Sequence, residues 1–136
     1  MTTLALKRVY EPPQPADGMR ILVDRLWPRG LSRDRARIDL WLKDIAPSDA
    51  LRRRFHGKPD DWSAFRAAYA AELRGAAAGA AADLLRGHLR DGPVTLLYAA
   101  RDERHNNAAA LKAWLERRVR ARVSSRSARA RRSGSS

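Results

Sequence analysis

The sequence predicts an α/β fold: a small single domain with a mainly parallel sheet of three to five strands flanked by helices. Three observations point that way. Two short, nearly continuous apolar runs, "MRILVD" (19–24) and "VTLLYAA" (94–100), have the pattern of strands covered on both faces. Two segments between them carry helical apolar spacing, and a third follows the second run. The order strand, strand, helices, strand, helix is that of a layered α/β domain.

The elements follow in order. "LALKRVY" (4–10) sets Leu4 and Leu6 and then Val9 and Tyr10 in a first strand. "EPPQPADG" (11–18) is a loop on its prolines and terminal Asp-Gly. "MRILVD" is the second strand. Segment 30–48 supports two readings: Ile38, Trp41, Leu42 and Ile45 fit a helical stripe, whereas Ile38, Leu40 and Leu42 alternate like a strand. Ser32 is placed to cap a short helix starting at Arg33, and Pro47 to begin another through "SDALRRRF".

"PDDWSAFRAAYAAELRG" (59–75) is the clearest helix. Trp62, Phe65, Tyr69 and Leu73 recur at three and four residues, Asp60 and Asp61 suit the first turn, and Gly75 is a natural stop. "AAAGAAADLLRGHLRDG" (76–92) is a second helix despite two internal glycines. After strand 94–100 and the turn "RDERHN", a final helix starts near Asn106 with Leu111, Trp114, Leu115 and Val119 on one face. The α/β domain is expected to span 1–118. Residues 119–136 are expected to form a disordered Arg/Ser-rich tail, having little to bury.

Composition narrows the function classes. With 44% apolar and 32% charged residues the chain reads as soluble and globular. The longest strongly apolar run is seven residues, too short for a membrane span, and no secretory signal pattern is visible. The absence of cysteine removes disulfides, thiol catalysis and zinc–thiolate sites. A cytoplasmic location is the expectation. The net charge of +13 is unevenly spread: residues 117–136 hold eight arginines and no acid, while 1–116 hold 20 basic and 15 acidic residues. Arginine outnumbers lysine 24 to 4 in an alanine-rich chain, which fits a compositional bias, so arginine richness alone carries little functional weight.

If strands 19–24 and 94–100 are parallel neighbours, "DRLWPRG" and "RDERHNN" both begin at their carboxyl ends, where ligands of open α/β sheets bind. In the first cluster Arg25 and Arg29 suit bidentate recognition of phosphate or carboxylate, and Asp24 would orient one of them or act as a base. The alternative is a strand-end ion pair with Trp27 packed and Pro28-Gly30 shaping a turn. In the second, Asp102 and His105 supply an acid/base pair, and Arg101, Asn106 and Asn107 could hold a ligand at a helix start. The alternative there is capping by Asn106 or Asn107. Asp24, Asp102 and His105 could supply oxygen and nitrogen to a metal, but the spacing matches no metal motif, so no metal site is expected and no cofactor is identified. His56 and His88 read as surface histidines, and Trp41, Trp62 and Trp114 as core.

"RVYEPP…DGMRILVDRLWPRGLS", "WLKDIAPS", "LRRRFHGKPDDWSAFRAAYAAEL" and "VTLLYAARDERHNNAAAL" together resemble the YeaO-like branch of the family called domain of unknown function 488 (DUF488). The resemblance runs from about Lys7 to Trp114 and leaves the tail outside. It implies a small bacterial α/β protein without an established activity. Broader members carry a "valDvR…P.S" strand-turn, similar to "LVDRLWPRGLS", and a "LLCAE…HCHR" segment where this chain has "LLYAARDERHNN". Tyr98 replaces the strand cysteine, and Asn106 and Asn107 stand where Cys-His would fall. The resemblance therefore carries no thiol chemistry to this chain, and His105 is the position it carries over.

Two functions follow from these readings. The favoured one is a site for an anionic or nucleotide-like small molecule at the carboxyl ends of strands 19–24 and 94–100, with catalysis left open. The alternative is a nucleic-acid-binding accessory protein acting through its basic surface and residues 117–136, by counterion release.

Overall fold

Four strands and five α-helices build a small single α/β domain among the described residues, 3–55 and 58–117 of a computed structural model. The strands are β1 (Leu4–Arg8), β2 (Met19–Leu22), β3 (Leu40–Trp41) and β4 (Val94–Tyr98). The helices are α1 (Arg33–Ala36), α2 (Asp49–Phe55), α3 (Trp62–Glu72), α4 (Ala76–Asp91) and α5 (107–117). The sheet order is β1-β4-β2-β3 and every pairing is parallel. The two most apolar strands are the central ones, β4 facing Val94 to Met19 and Leu97 to Leu22. All five residues of β4 are buried. The expected parallel sheet is therefore present, and no described helix is long and apolar enough to cross a membrane.

The segment that supported two readings resolves into β3 followed by a 3-10 turn, Lys43–Ile45. Asp39 N–H donates to Arg20 O at 2.8 Å and Leu42 N–H to Leu22 O at 2.9 Å, extending the ladder on both sides of the strand. Leu40, Leu42 and Ile45 join the larger core, while Ile38 and Trp41 join the smaller cluster on the other side of the sheet. Apolar residues divided between two faces fit neither a single helical nor a single strand period.

Capping settles the short helices. Ser32 accepts from Arg35 N–H and starts α1 as expected. Pro47 does not begin α2. Ser48 caps it instead, its Oγ accepting from Leu51 N–H at 3.1 Å. Glu72 of α3 holds that cap by accepting from both the backbone N–H and the hydroxyl of Ser48. A serine hydroxyl satisfies an orphan helix donor that a proline cannot reach.

The sheet separates two unequal cores. On one face Ile21, Val23, Val94, Leu96 and Tyr98 pack against α2 to α5 through Leu51, Tyr69, Leu73, Leu85 and Leu111. The Tyr69 hydroxyl, pushed far above its ordinary value by burial and by nearby Glu72 and Asp24, donates to Ile45 O and ties α3 to the turn after β3. On the other face Val9, Leu22 and Leu97 meet Trp27, Leu31, Ile38 and Trp41. That smaller core is continued by a polar network absent from the sequence reading. Arg20, 3% exposed, donates to Asp17 Oδ2 at 2.7 Å and to the carbonyls of Ala36 and Arg37, while Lys7 Nζ reaches both Asp17 oxygens at 3.2 Å. Thr95 Oγ1 donates to Asp17 O. One glycine enables the approach: Gly18 has φ +64°, and a Cβ there would lie 2.3 Å from Pro93 O.

Removing one partner of a buried pair leaves the other charged and unsatisfied. Arg20→Met is expected to lower unfolding free energy by about 3–5 kcal/mol in urea titrations. Burial pushes the Asp17 carboxyl up, but the hydrogen bonds from Gln14 N–H, Lys7 and Arg20 outweigh it and hold it below its ordinary value. A depressed carboxylate contributes stability above its unfolded pKa of ~3.9 and loses it as pH falls through the folded value. Stability measured from pH 6 downwards should therefore decline less steeply in Asp17→Asn than in the wild type below about pH 4.

Candidate functional site

The parallel pairing of β2 and β4 brings their carboxyl ends together, and the chain leaves those ends toward opposite faces. After β4 it passes through 99–106 into α5, whose Ala108, Leu111 and Leu115 belong to the larger core. After β2 it passes through Trp27 and Leu31, both on the smaller core, toward α1. Diverging exits from neighbouring strands open a crevice between them. A cavity of about 680 Å³ lies there, within the range of small-ligand sites.

Every candidate site residue borders this one cavity: Asp24, Arg25, Arg29, Arg101, Asp102, His105, Asn106 and Asn107. Their roles separate on hydrogen bonding. Asp24 Oδ2 accepts from Ala99 N–H at 2.8 Å and Oδ1 from Asn107 Nδ2 at 3.0 Å. The Asn107 amide also donates to Val23 O at 2.9 Å, and Trp41 Nε1 to Asp24 O at 2.7 Å. Asp24 and Asn107 thus form a clasp joining β2, β4 and α5. Burial pushes the Asp24 carboxyl above its ordinary value, against the opposing pull of Ala99 N–H, Asn107 and the Arg52 charge. Stability linked to that upward shift is greatest at low pH and declines as pH rises through the folded value, opposite to Asp17.

The second cluster is a capped turn. Asn106, 5% exposed, accepts from Ala109 N–H through Oδ1 at 2.8 Å and donates to Asp102 O, so the expected cap is Asn106. Asp102 Oδ1 accepts from the N–H groups of Arg104 and His105, and Oδ2 meets His105 Nδ1 at 3.1 Å. Hydrogen bonds from the His105 and Arg104 backbones hold the Asp102 carboxyl below its ordinary value. With Nδ1 engaged by Asp102, the remaining ring nitrogen of His105 is Nε2. Among the described residues, no group of three or more His, Asp or Glu side chains is arranged so that it could hold a metal ion.

In the first cluster, Arg25 reaches the carbonyls of Ala46 and Pro47 only through long contacts of 3.4 Å. Arg29 offers its backbone carbonyl to the Tyr10 hydroxyl. Trp27 packs, its Nε1 donating to Leu31 O and its ring meeting Trp41 edge-on at 5.4 Å.

Sequence reasoning missed the wall supplied by α2 and α3. Arg52, Phe55, Lys58, Trp62 and Phe65 also border the cavity. Trp62, expected in the core, is half-buried: it stacks on Phe65 at 5.6 Å and meets the His105 ring edge-on at 5.2 Å. The available signal was the basic run "LRRRFHGKP" directly ahead of an aromatic pair at i, i+3. His56 and residues 118–136, the arginine-rich stretch among them, lie outside the described residues, and His88 is half-buried on α4.

The clasp should be cooperative. Asp24→Ala leaves two donors without their acceptor and is expected to cost about 1–3 kcal/mol for each one that stays buried. Asn107→Ala should cost less. The double variant, compared in urea titrations, should fall short of the sum because both changes break the same contact.

Comparison with known proteins places the chain. A family model described as "Inactive DUF488-N3 subclade" matches residues 3–133, extending past the Trp114 limit of the sequence resemblance. The uncharacterized protein YeaO of Escherichia coli is 45% identical over 109 residues, covering 80% of this chain and 93% of the relative. The uncharacterized protein Rv3073c of Mycobacterium tuberculosis is 41% identical over 110 residues, covering 81% and 91%. No solved structure matches. With the strand-turn motifs, the parallel sheet and a match over nearly its whole length, the chain belongs to the DUF488 family as a YeaO-like member.

Proposed function

We propose that this protein binds a small anionic molecule in the cavity at the carboxyl ends of β2 and β4, and that it holds this ligand without converting it. The carrying observation is a set of cations without hydrogen-bonded partners, of which Arg52 alone acts on a carboxylate, that of Asp24, through its charge. Arg29, Arg52, Lys58 and Arg101 border the cavity, and among the described residues none of these side chains donates to a carboxylate or carbonyl. Arg25 adds a fifth cation with long contacts only. Two carboxylates face these five cations, and all four of their oxygens already accept hydrogen bonds. Cations converging on a concave surface attract anions, and guanidinium forks suit phosphate or carboxylate.

Two facts favour binding over turnover. Asp24, the most enclosed acid at the site, is committed to the clasp on both oxygens. The matching subclade is itself described as inactive. Asp102 and His105 then act as a positioned rim, with Nε2 of His105 available as a hydrogen-bonding partner for the ligand.

Thermal shift at constant ionic strength tests this reading. Inorganic phosphate or pyrophosphate should raise the melting temperature of the full chain, and the paired change Arg52→Ala with Lys58→Ala should remove most of that rise while the unliganded variant stays folded. Absence of any rise in the wild type would overturn the proposal. An undiminished rise in the variant would place the anion elsewhere.

A further inference from the structure

The cations account for only part of the cavity lining. Phe55, Trp62 and Phe65 form a continuous aromatic wall on the α2–α3 side: Phe65 meets Phe55 edge-on at 5.8 Å and stacks on Trp62 at 5.6 Å. Trp27 and Pro28 border the cavity from the loop after β2, together with Leu26, which is 67% exposed. A bare inorganic anion would use the cations and leave these apolar surfaces in water.

We infer that the ligand carries a flat aromatic ring as well as its anionic group, the ring lying against the Phe55–Trp62–Phe65 wall and the anion meeting Arg52 and Lys58. This deepens the proposed anion site and rests on it. A nitrogen heterocycle already sits against Trp62, since the His105 imidazole contacts it edge-on at 5.2 Å. The space of about 680 Å³ is what remains with that imidazole in place, ample for one further ring and a phosphate group. Cations and aromatic rings within one cleft are the combination that holds a nucleotide-like molecule: the ring gains stacking and apolar burial, and the phosphate gains charge-assisted hydrogen bonds. The ligand class is therefore a phosphorylated aromatic or heteroaromatic molecule, with nucleoside monophosphates as its simplest members.

Four probes separate the contributions: inorganic phosphate, ribose 5-phosphate, phenyl phosphate and adenosine 5′-monophosphate, each titrated into the full chain with intrinsic tryptophan fluorescence and calorimetry as readouts. The two ring-bearing probes should bind at least about tenfold more tightly than ribose 5-phosphate, the scale of one stacked ring, and should perturb tryptophan emission. Trp62→Leu should erase the ring preference while leaving phosphate affinity within about twofold. Trp62→Phe, which keeps a ring in the wall, should retain part of the preference and guards against misfolding of the leucine variant. Equal affinity for ring-bearing and ring-free phosphates would overturn this inference and leave the anion site standing. An undiminished ring preference in Trp62→Leu would also overturn it. Failure of all four probes to bind would overturn both readings.

Discussion

The parallel pairing of β2 with β4 is the constraint on which the rest of the structure depends. Because the two strands run the same way, the residues that follow them emerge at one edge of the sheet. Because one exit packs on the larger core and the other on the smaller, those residues line a crevice. An antiparallel arrangement would have put "DRLWPRG" and "RDERHNN" at opposite ends of the molecule. The hydrogen bonds from Ala99 N–H and Asn107 to Asp24 link both exits.

The smaller face shows how a thin layer is completed. Among the described residues, α2 to α5 pack on one side of the sheet, whereas the cluster on the other side consists of two tryptophans and a few aliphatic side chains. Arg20 takes the place of apolar filling there, its guanidinium satisfied by one carboxylate and two carbonyls and its stem buried in the sheet. Asp17 ties Lys7 of β1 to Arg20 of β2, and Arg20 in turn reaches the segment 33–39 through the Ala36 and Arg37 carbonyls and, by its backbone N–H, the Asp39 carboxylate.

Much of the fold was legible because it rests on local patterns. Continuous apolar runs announced the central strands, 3.6-residue spacing announced α3, and the Ser32 cap announced α1. Whether 38–42 forms strand or helix was not legible, since its apolar residues serve two cores. Pro47 misled because proline suits a first helical turn in general, while the serine beside it makes the actual cap. Trp62 fits the helical stripe of a core residue and packs against the larger core. It lies at the end of that stripe, where the core gives way to the cavity.

By itself the sequence determined the fold class, the central strands and the two clusters at their carboxyl ends, together with the resemblance that the family match bears out. Those features depend on residues close along the chain, where periodicity and turn chemistry are direct readouts. Tertiary structure alone decided how the polar residues divide their work. Asp24, Asn106 and Asn107 are occupied by hydrogen bonds, some to partners more than eighty residues away, whereas Arg29, Arg52, Lys58 and Arg101 border the cavity with no side-chain hydrogen bond among the described residues. Whether a polar group is spent on the fold or left for a ligand depends on its partners in space, and local pattern carries no record of those.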